Sequence, residues 1–459
     1  MANFTVDGKI CIERDLGVVA TNREFEDIIS HFDVLNTCKW ISDNNFSKVC
    51  LQFPDELLNV SALLYEEIKN RCDVDLYILG DTSYASCCVD AVAAMHVQGE
   101  AVIHYGRSCF TKADIPVFTV LPKTELDVNT SMKSLQDNFK SDELDKFCLF
   151  YDAEFEHCKD EIEMAWYQQY PNSYIAYIEI EESGKRFLGR VVRDVHGEEH
   201  NEDVLKNCIC IYIGQSGQTL FNYTISIKAK QWLSLNPETL QVERKTETAW
   251  FKRRHFLIEK CKDANVIGIL ICKLAGEQTK DIISRLKDLC KVNGKKSYII
   301  SVGKPNVAKL ANFPEIDIYV MVACAENDLY NNRDFYKPIV YPFELEVALN
   351  SNREPYFTTH VTDYDELLPG KKHYCDINEA KESTDVSLIT NKIRETKVHS
   401  SIESSMELVE KQSMALETIG QNLQERSWKG LEQKLGETEV KKAEEGRKGI
   451  PLQYNNEPE

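Results

Sequence analysis

Short apolar runs alternate with segments whose apolar residues recur at helical spacing, along the chain as far as Asn350. The alternation starts with Val49–Phe53, an apolar run closed by Pro54, and continues with the helically spaced Leu57–Ile68. Three further strands are predicted at Asp75–Leu79, Ala101–Tyr105 and Val117–Leu121. A short helix is predicted at Val89–Val97, between the first two of these strands. Strands that alternate with helices favour a parallel sheet with both faces covered.

The same alternation recurs twice further along the chain. The second unit is predicted to contain strands Phe147–Tyr151, Ser173–Tyr177 and Cys208–Ile213, with the helix Glu154–Tyr167. The third is predicted to contain strands Val266–Cys272, Ser297–Val302 and Ile316–Ala323, with helices Thr279–Val292 and Asn306–Leu310. A further helix is expected around Glu24–Leu35, and another within Lys230–Arg254, linking units two and three. No close sequence identity relates the units, so the repeat is one of architecture.

These units predict four segments. We expect an N-terminal α/β domain at 1–135, a middle α/β domain at 136–250, a third α/β domain at 251–378 and a polar tail at 379–459. The tail is rich in Glu, Lys, Ser and Gln and poor in aromatic residues. This composition favours a long helix or disorder.

Composition and charge exclude several classes of protein. The 459 residues carry a net charge of −20 with no basic stripe, which argues against a general nucleic-acid-binding role. The longest apolar runs are too short to span a bilayer. The first residues show no basic stretch followed by an apolar core, so no secretory signal is expected. We therefore expect a cytoplasmic, reducing location.

Sixteen cysteines are distributed along the chain. Most lie inside apolar runs and are expected to be small core residues: Cys50, Cys148, Cys208, Cys210 and Cys272. A disulfide framework is disfavoured in a reducing compartment, and metal or cluster binding by a minority of the thiols is favoured.

A few thiols follow predicted strands directly. Cys87 and Cys88 come after the second strand, Cys109 after the third, and Cys324 after the last strand of unit three. Ligands of open α/β sheets bind beyond the carboxyl ends of the strands, so these thiols can converge if the units share a centre. Convergent thiolates suit an iron–sulfur cluster or zinc.

The neighbouring residues are less informative. Successive side chains of an extended segment diverge, so only one of Cys87 and Cys88 is expected to face the site. His104 is expected to be a core or loop histidine rather than a ligand. The equivalent loop of unit two, Gly214-Gln215-Ser216-Gly217, could cradle an anion through its N–H groups, but is more typical of a plain turn.

Several motifs resemble those of the diphthamide synthase family, and specifically its eukaryotic accessory subunits. The resemblance spans nearly the whole chain. In the first unit it rests on Leu51–Asp55, Gly80–Tyr84, Cys87–Asp90, His104–Gly106 and Cys109. It continues through Lys309–Glu315, Cys324, Lys337–Val340 and Pro342–Glu346, and in the tail through Asp385–Thr390, Ser427–Glu432 and Gly446–Ile450.

The resemblance implies three related α/β domains, with mainly parallel sheets, around a central 4Fe–4S cluster. Family members use S-adenosylmethionine in an unusual radical reaction. It transfers the 3-amino-3-carboxypropyl group to a histidine of elongation factor 2, the first step of diphthamide formation. The implied partners are diphthamide biosynthesis protein 1, as the other half of a heterodimer, and diphthamide biosynthesis protein 3, as electron donor.

The chain departs from the catalytic pattern in unit two. Catalytic members carry a cysteine ligand there, whereas the corresponding loop here presents Gln215. The implied ligand set is Cys88, Cys109 and Cys324, and no argument from the residues separates Cys88 from Cys87. We therefore expect an accessory, cluster-bearing subunit without catalytic residues of its own, which helps to keep the sister subunit's cluster reduced. The alternatives are a self-sufficient homodimeric transferase and an interaction protein that binds structural zinc.

Overall fold

A computed structural model describes residues 25–80, 86–111, 113–138, 146–179, 185–272, 277–302, 305–326, 335–377, 383–391, 393–396, 449–450 and 453–454. The chain divides into two compact parts, Met1–His399 and Ser400–Glu459, and the three α/β units lie in the first part. Within Ser400–Glu459, Gly449–Ile450 pairs with Gln453–Tyr454 in an antiparallel ladder. The Ser427–Glu432 motif lies outside the described residues.

The first sheet is entirely parallel and has the strand order β2-β1-β3-β4. Its strands are β1 (Lys48–Gln52), β2 (Asp75–Ile78), β3 (Ala101–Tyr105) and β4 (Val117–Val120). The helices that accompany it are α1 (Phe25–His31), α2 (Val34–Asp43), α3 (Leu58–Arg71) and α4 (Ala91–His96). The central strands β1 and β3 are buried almost throughout, as expected for a sheet covered on both faces.

The middle sheet has seven strands in the order β11-β10-β9-β5-β6-β7-β8. The strands are β5 (Lys146–Tyr151), β6 (Tyr174–Ile178), β7 (Arg190–Asp194), β8 (Glu199–His200), β9 (Cys208–Ile213), β10 (Gln231–Leu235) and β11 (Val242–Lys245). The helices are α5 (Val128–Asn138), α6 (Lys159–Gln169) and α7 (Gln218–Ser226). Strands β6, β5, β9 and β10 are parallel, and the outer strands β7, β8 and β11 pair antiparallel.

The third sheet is again entirely parallel, with the order β13-β12-β14-β15. Its strands are β12 (Val266–Ile271), β13 (Lys296–Ser301), β14 (Ile318–Val322) and β15 (Ile339–Val340). The helices are α8 (Thr248–Asp263), α9 (Glu277–Val292), α10 (Val307–Leu310) and α11 (Pro342–Leu349). A final hairpin joins β16 (Ser383–Val386) to β17 (Ile393–Thr396).

Each of the three sheets contains four parallel strands in the same order. Counted within each unit, the four parallel strands lie in the order second, first, third, fourth, and the middle sheet adds antiparallel strands at both edges. This confirms the predicted α/β class with mainly parallel sheets and the repeat of architecture. The shared order reverses direction between the first and third strands, and such a reversal opens a crevice at the carboxyl ends.

Some predicted elements differ from the observed ones. The expected helix at Glu24–Leu35 is divided by Asp33, whose φ of 48° lies in the left-handed region. The predicted helix within Lys230–Arg254 begins only at Thr248, because residues 231–245 form β10 and β11. Ser383–Val386 and Ile393–Thr396, in a segment expected to be helical or disordered, pair as the strands β16 and β17 of a hairpin. Among the described residues, no helix combines the length and apolar character needed to cross a membrane.

A buried ion network fastens α11 to α8 in the third unit. The Arg254 guanidinium donates to both carboxylate oxygens of Glu344, and His360 Nε2 lies 3.3 Å from Glu344 Oε1. All three side chains are almost completely buried. Glu344 also accepts the backbone N–H of Tyr341 at 2.9 Å, which caps the start of α11. The Pro342–Glu346 motif is therefore explained by packing in this unit.

Candidate metal centre

Four thiols from two sheets meet in one buried site. Cys87, Cys88 and Cys109 come from the first unit and Cys324 from the third, and all four sulfurs lie within 4.8 Å of one another. Cys87 Sγ lies 3.9 Å from Cys88 Sγ and 3.7 Å from Cys324 Sγ. Cys109 Sγ lies 3.8 Å from Cys88 Sγ. The structure thus brings together every strand-end thiol that the sequence singled out.

Both members of the cysteine pair face the site, so the expectation that one would turn away is wrong. That expectation assumed an extended backbone. Residues 86–88 instead form a turn, and the backbone N–H of Cys109 donates to the Cys87 carbonyl at 3.0 Å. The turn places neighbouring side chains on the same side of the backbone.

The thiols occupy related places in the repeated topology. Cys109 follows β3, the third strand of the first unit, and Cys324 follows β14, the third strand of the third unit. The equivalent loop of the middle unit follows β9 and contains Gln215, whose exposed amide donates to Glu238 at 2.9 Å. Cys208 and Cys210 are buried within β9 and pack in the middle core, as predicted. The middle unit therefore contributes no thiol to the group of four.

Buried polar side chains hold the Cys87–Cys88 turn. Gln52, at the end of β1, donates to the Cys88 carbonyl at 2.8 Å and accepts the Asp90 N–H at 2.9 Å. His104 on β3 is buried and its Nε2 donates to the Ser86 carbonyl at 3.0 Å. Burial lowers the pKa of His104, which favours the neutral ring. His104 is thus a buried support of the turn and lies outside the thiol group.

Glycine allows the chain to turn between β3 and Cys109. Gly106 has a φ of +103°, and a Cβ at this position would lie 3.0 Å from Pro54 Cγ. Any other residue would be strained there and would crowd the proline. This contact explains why the motif around Pro54 and the motif ending in Gly106 occur together.

The centre is built to receive a cation. Hydrogen bonds among the thiols, led by that with Cys109, and then burial raise the pKa of Cys87 well above its ordinary value. The hydrogen bond with Cys109 and burial likewise raise the pKa of Cys324 well above its ordinary value, although the hydrogen bond with Cys87 acts in the opposite direction. Several thiolates in mutual contact repel one another unless a metal compensates their charge, so metal binding and loss of the thiol protons are coupled.

The donor set suits either an iron–sulfur cluster or zinc. The group contains sulfur ligands only, and cysteine thiolates are the usual ligands of 4Fe–4S clusters. With a Zn–S distance of about 2.3 Å, the edge of a tetrahedral four-thiolate zinc site is about 3.8 Å, close to the observed spacings. The spacings therefore match four-thiolate zinc, and chemical analysis of the bound metal decides whether the site takes a cluster instead.

Residues of the middle unit reach the centre without supplying a thiol. Asn222 on α7 donates to the Ala325 carbonyl at 2.7 Å and to Glu326 Oε1 at 2.9 Å. Thr219 on the same helix donates to Glu326 Oε2 at 2.9 Å. Burial raises the pKa of Glu326. These three residues were missed in the sequence, because polar residues on a helix and in a loop give no local signal of long-range contact.

The first prediction concerns Gln52. Gln52→Leu leaves the buried Cys88 carbonyl and Asp90 N–H without the side chain that pairs them, at a cost of roughly 1–3 kcal/mol for each unsatisfied group. We expect a lower free energy of unfolding and weaker metal retention, measured by urea titration and by iron content. Gln136→Leu, at an exposed position of α5, is the matched control. Equal stability and iron content in the two variants would contradict this role of Gln52.

The fold and site define an α/β protein of three related, mainly parallel sheets, with a buried thiol centre between loops of the first and third units. Residues 53–357 match the model of the diphthamide synthesis protein family. The chain is 36% identical to 2-(3-amino-3-carboxypropyl)histidine synthase subunit 2 of Danio rerio, covering 99% of this chain and 97% of that protein. It is 29% identical to the subunit 2 of Schizosaccharomyces pombe, covering 97% and 94%. The chain therefore belongs to the diphthamide synthesis protein family, as the motifs predicted.

Among solved structures, the chain is similar to the crystal structure of Dph2 from Pyrococcus horikoshii with a 4Fe–4S cluster. The TM-score is 0.56 at 20% sequence identity, covering 74% of this chain and 95% of that one. A second crystal structure of the same protein gives a TM-score of 0.54 at 20% identity, covering 72% and 94%. At this identity the likeness supports the fold.

Proposed function

We propose that this chain is the accessory iron–sulfur subunit of 2-(3-amino-3-carboxypropyl)histidine synthase. The observation that carries the proposal is the all-thiol centre formed by the first and third units, with a glutamine loop in the middle unit. The names of the curated relatives support the enzyme, and the Pyrococcus horikoshii structure supports the kind of cofactor. The reaction transfers the 3-amino-3-carboxypropyl group of S-adenosylmethionine to a histidine of elongation factor 2.

In this proposal Cys88, Cys109 and Cys324 hold a 4Fe–4S cluster, and Cys87 is the second candidate within its pair. The cluster, when bound, supplies one-electron redox chemistry. The protein's own residues bury the site and fix its geometry: Gln52 and His104 hold the turn that carries the pair. Burial of Cys87, Cys88 and Cys324 also limits access of water and oxidants, whereas Cys109 is partly exposed.

The glutamine loop of the middle unit supports the accessory role. A side chain without a thiolate in the Gln215 loop changes the ligand geometry, so we assign catalysis to the sister subunit and no catalytic residue to this chain. The proposed partners are diphthamide biosynthesis protein 1 in a heterodimer, elongation factor 2 as substrate of the complex and diphthamide biosynthesis protein 3 as electron donor. The proposed location is the cytoplasm, and the four predicted segments, 1–135, 136–250, 251–378 and 379–459, stand as proposed domains.

Anaerobic purification with the sister subunit tests the proposal. We expect iron and inorganic sulfide in this chain, with a brown colour and broad visible absorption, even when the sister's own cluster ligands are replaced. Transfer of label from S-adenosylmethionine to elongation factor 2 should require both chains. Turnover by this chain alone would favour the self-sufficient homodimer.

Structural zinc is the second candidate, because the sulfur spacings match a tetrahedral site. A colourless anaerobic preparation with stoichiometric zinc and no sulfide would establish it and would overturn the cluster proposal. Replacing Cys87 and Cys88 separately by serine decides between the two members of the pair. Loss of the cluster on replacement of Cys87 alone would move the ligand assignment from Cys88 to Cys87.

A further inference from the structure

The middle unit contacts the residues that directly follow Cys324. Asn222, with 1% of its surface exposed, donates through Nδ2 to the carbonyl of Ala325 and to the carboxylate of Glu326. Thr219, one helical turn away on α7, donates to the other oxygen of that carboxylate. Helix α7, which begins just after the Gln215 loop, thus makes three hydrogen bonds to the Cys324 loop of the third unit.

The same unit contacts the residue that directly follows Cys109. Arg186 donates through its guanidinium to the carbonyl of Phe110, and Phe110 itself has a φ of 52°. Gly189, with a φ of +75°, lies so close to the Phe110 ring that a Cβ would approach it to 2.8 Å. Arg186 and Gly189, just before β7, therefore contact the backbone and the ring of Phe110 in the Cys109 loop.

These contacts point to a role for a unit that supplies no thiol. Two thiol loops from different sheets must keep their mutual geometry if they are to share a metal centre. The Asn222 bond to the Ala325 carbonyl is buried and the Arg186 bond to the Phe110 carbonyl is partly buried, and loss of either leaves a loop carbonyl without that donor, at a cost that rises with burial. We infer that the middle unit acts as a clamp that positions Cys109 and Cys324 through Arg186, Thr219 and Asn222, in place of a ligand of its own.

The inference rests on the proposed cluster, and three clamp variants with two controls test it. Asn222→Leu and Thr219→Val remove hydrogen bonds to the Cys324 loop with little change of volume, and Arg186→Met removes the one to the Cys109 loop. Thr219→Ser keeps the hydroxyl and should behave as the parent protein. Thr224→Val is the matched control, since the Thr224 hydroxyl on the same helix donates to the Phe221 carbonyl within α7.

The variants are loaded with iron and sulfide as the full chain in complex with the sister subunit. We expect iron release to a chelator to be roughly tenfold faster in Asn222→Leu and roughly threefold faster in Thr219→Val, as expected for lost hydrogen bonds of ordinary strength. Arg186→Met should also release iron faster. The electron paramagnetic resonance spectrum of the reduced cluster should change, whereas the melting temperature of the metal-free chain should shift by less than in Gln52→Leu.

The outcomes separate the clamp from the cluster proposal. Normal loading with release rates and spectra equal to those of Thr224→Val in all three clamp variants would overturn the clamp alone. Absence of iron and sulfide from the parent chain would overturn the proposed function and the clamp with it. If Asn222→Leu does not fold, the iron-release rates of Thr219→Val and Thr219→Ser are compared instead. These two variants differ at one side-chain group.

Discussion

Cys324→Ser is expected to reduce the iron and sulfide retained by this chain to background. Cys324 is the single member of the thiol group that the third unit supplies. Without it, the remaining thiols belong to one unit, and the site loses the ligand that joins the two sheets. Iron and sulfide analysis after anaerobic reconstitution measures the effect. The loss should be about tenfold or more, because structural metal binding depends steeply on the number of thiolates.

Cys272→Ser is the matched control for this result. Cys272 follows β12, the strand beside the one that precedes Cys324, and it packs in the third unit's core outside the thiol group. Both variants exchange one sulfur for oxygen in the same unit, so a general loss of stability should affect them alike. Undiminished iron in Cys324→Ser, or equal losses in the two variants, would contradict the ligand assignment.

Arg254→Leu is expected to destabilise the fold by about 3–5 kcal/mol, because it leaves the carboxylate of Glu344 buried without its cationic partner. Glu344 has no exposed surface, and Arg254 has 3%. Urea unfolding measures the change. Lys206→Ala, which breaks the exposed pair with Asp203, should cost less than about 1 kcal/mol. A similar, small loss in both variants would contradict the importance assigned to the buried network.

The same network predicts how stability changes with acid. Burial alone would raise the pKa of Glu344, but the Arg254 charge and the hydrogen bonds from His360 and Arg254 outweigh it and lower that pKa to about 2. A carboxyl with a lowered pKa stabilises the fold above its unfolded value of 4.5, and the contribution is lost as pH falls from 4.5 towards 2. Glu344→Gln should therefore show a shallower loss of stability over this interval than the parent chain. Parallel curves would contradict the shift.

Much of the fold follows from local sequence. Ala101–Tyr105, apolar except for His104, and Cys208–Ile213, apolar throughout, are bounded by polar residues or glycine, and the structure has strands with those same limits. Short runs of this kind, with β-branched and aromatic residues between such boundaries, favour a buried strand. The repeated alternation also indicated three units of one architecture, which the shared strand order confirms.

The missed strands depend on distant partners. Arg190–Asp194 begins with an arginine and reads as polar, yet Arg190 is 1% exposed and donates to the Tyr151 carbonyl and to the Tyr223 hydroxyl. Those partners, together with the Ala176 carbonyl that also accepts from Arg190, make a buried arginine acceptable in a strand. Gln231–Leu235 likewise becomes a strand by pairing with β9, a contact that its own residues do not signal.

The candidate site was predictable as a set of thiols but not as a geometry. Strand ends placed Cys109 and Cys324 where parallel sheets bind ligands. The turn at residues 86–88 depends on Gln52 and His104 of the first unit, and the contacts of Asn222 depend on how the middle and third units pack, so neither could be predicted from spacing. Gln52 belonged to a recognised motif, but its bonds to Cys88 and Asp90 appear only in the structure.

The proposed role of this chain's thiol centre is to hold a cluster that keeps the sister subunit's cluster reduced. The most direct measurement is the rate of label transfer to elongation factor 2 by complexes that contain the Cys324→Ser chain. The account predicts a severe loss of rate with diphthamide biosynthesis protein 3 and its reductase as electron source, and recovery when dithionite reduces the complex directly. An unchanged rate with the protein donor, or a loss that dithionite does not restore, would contradict it.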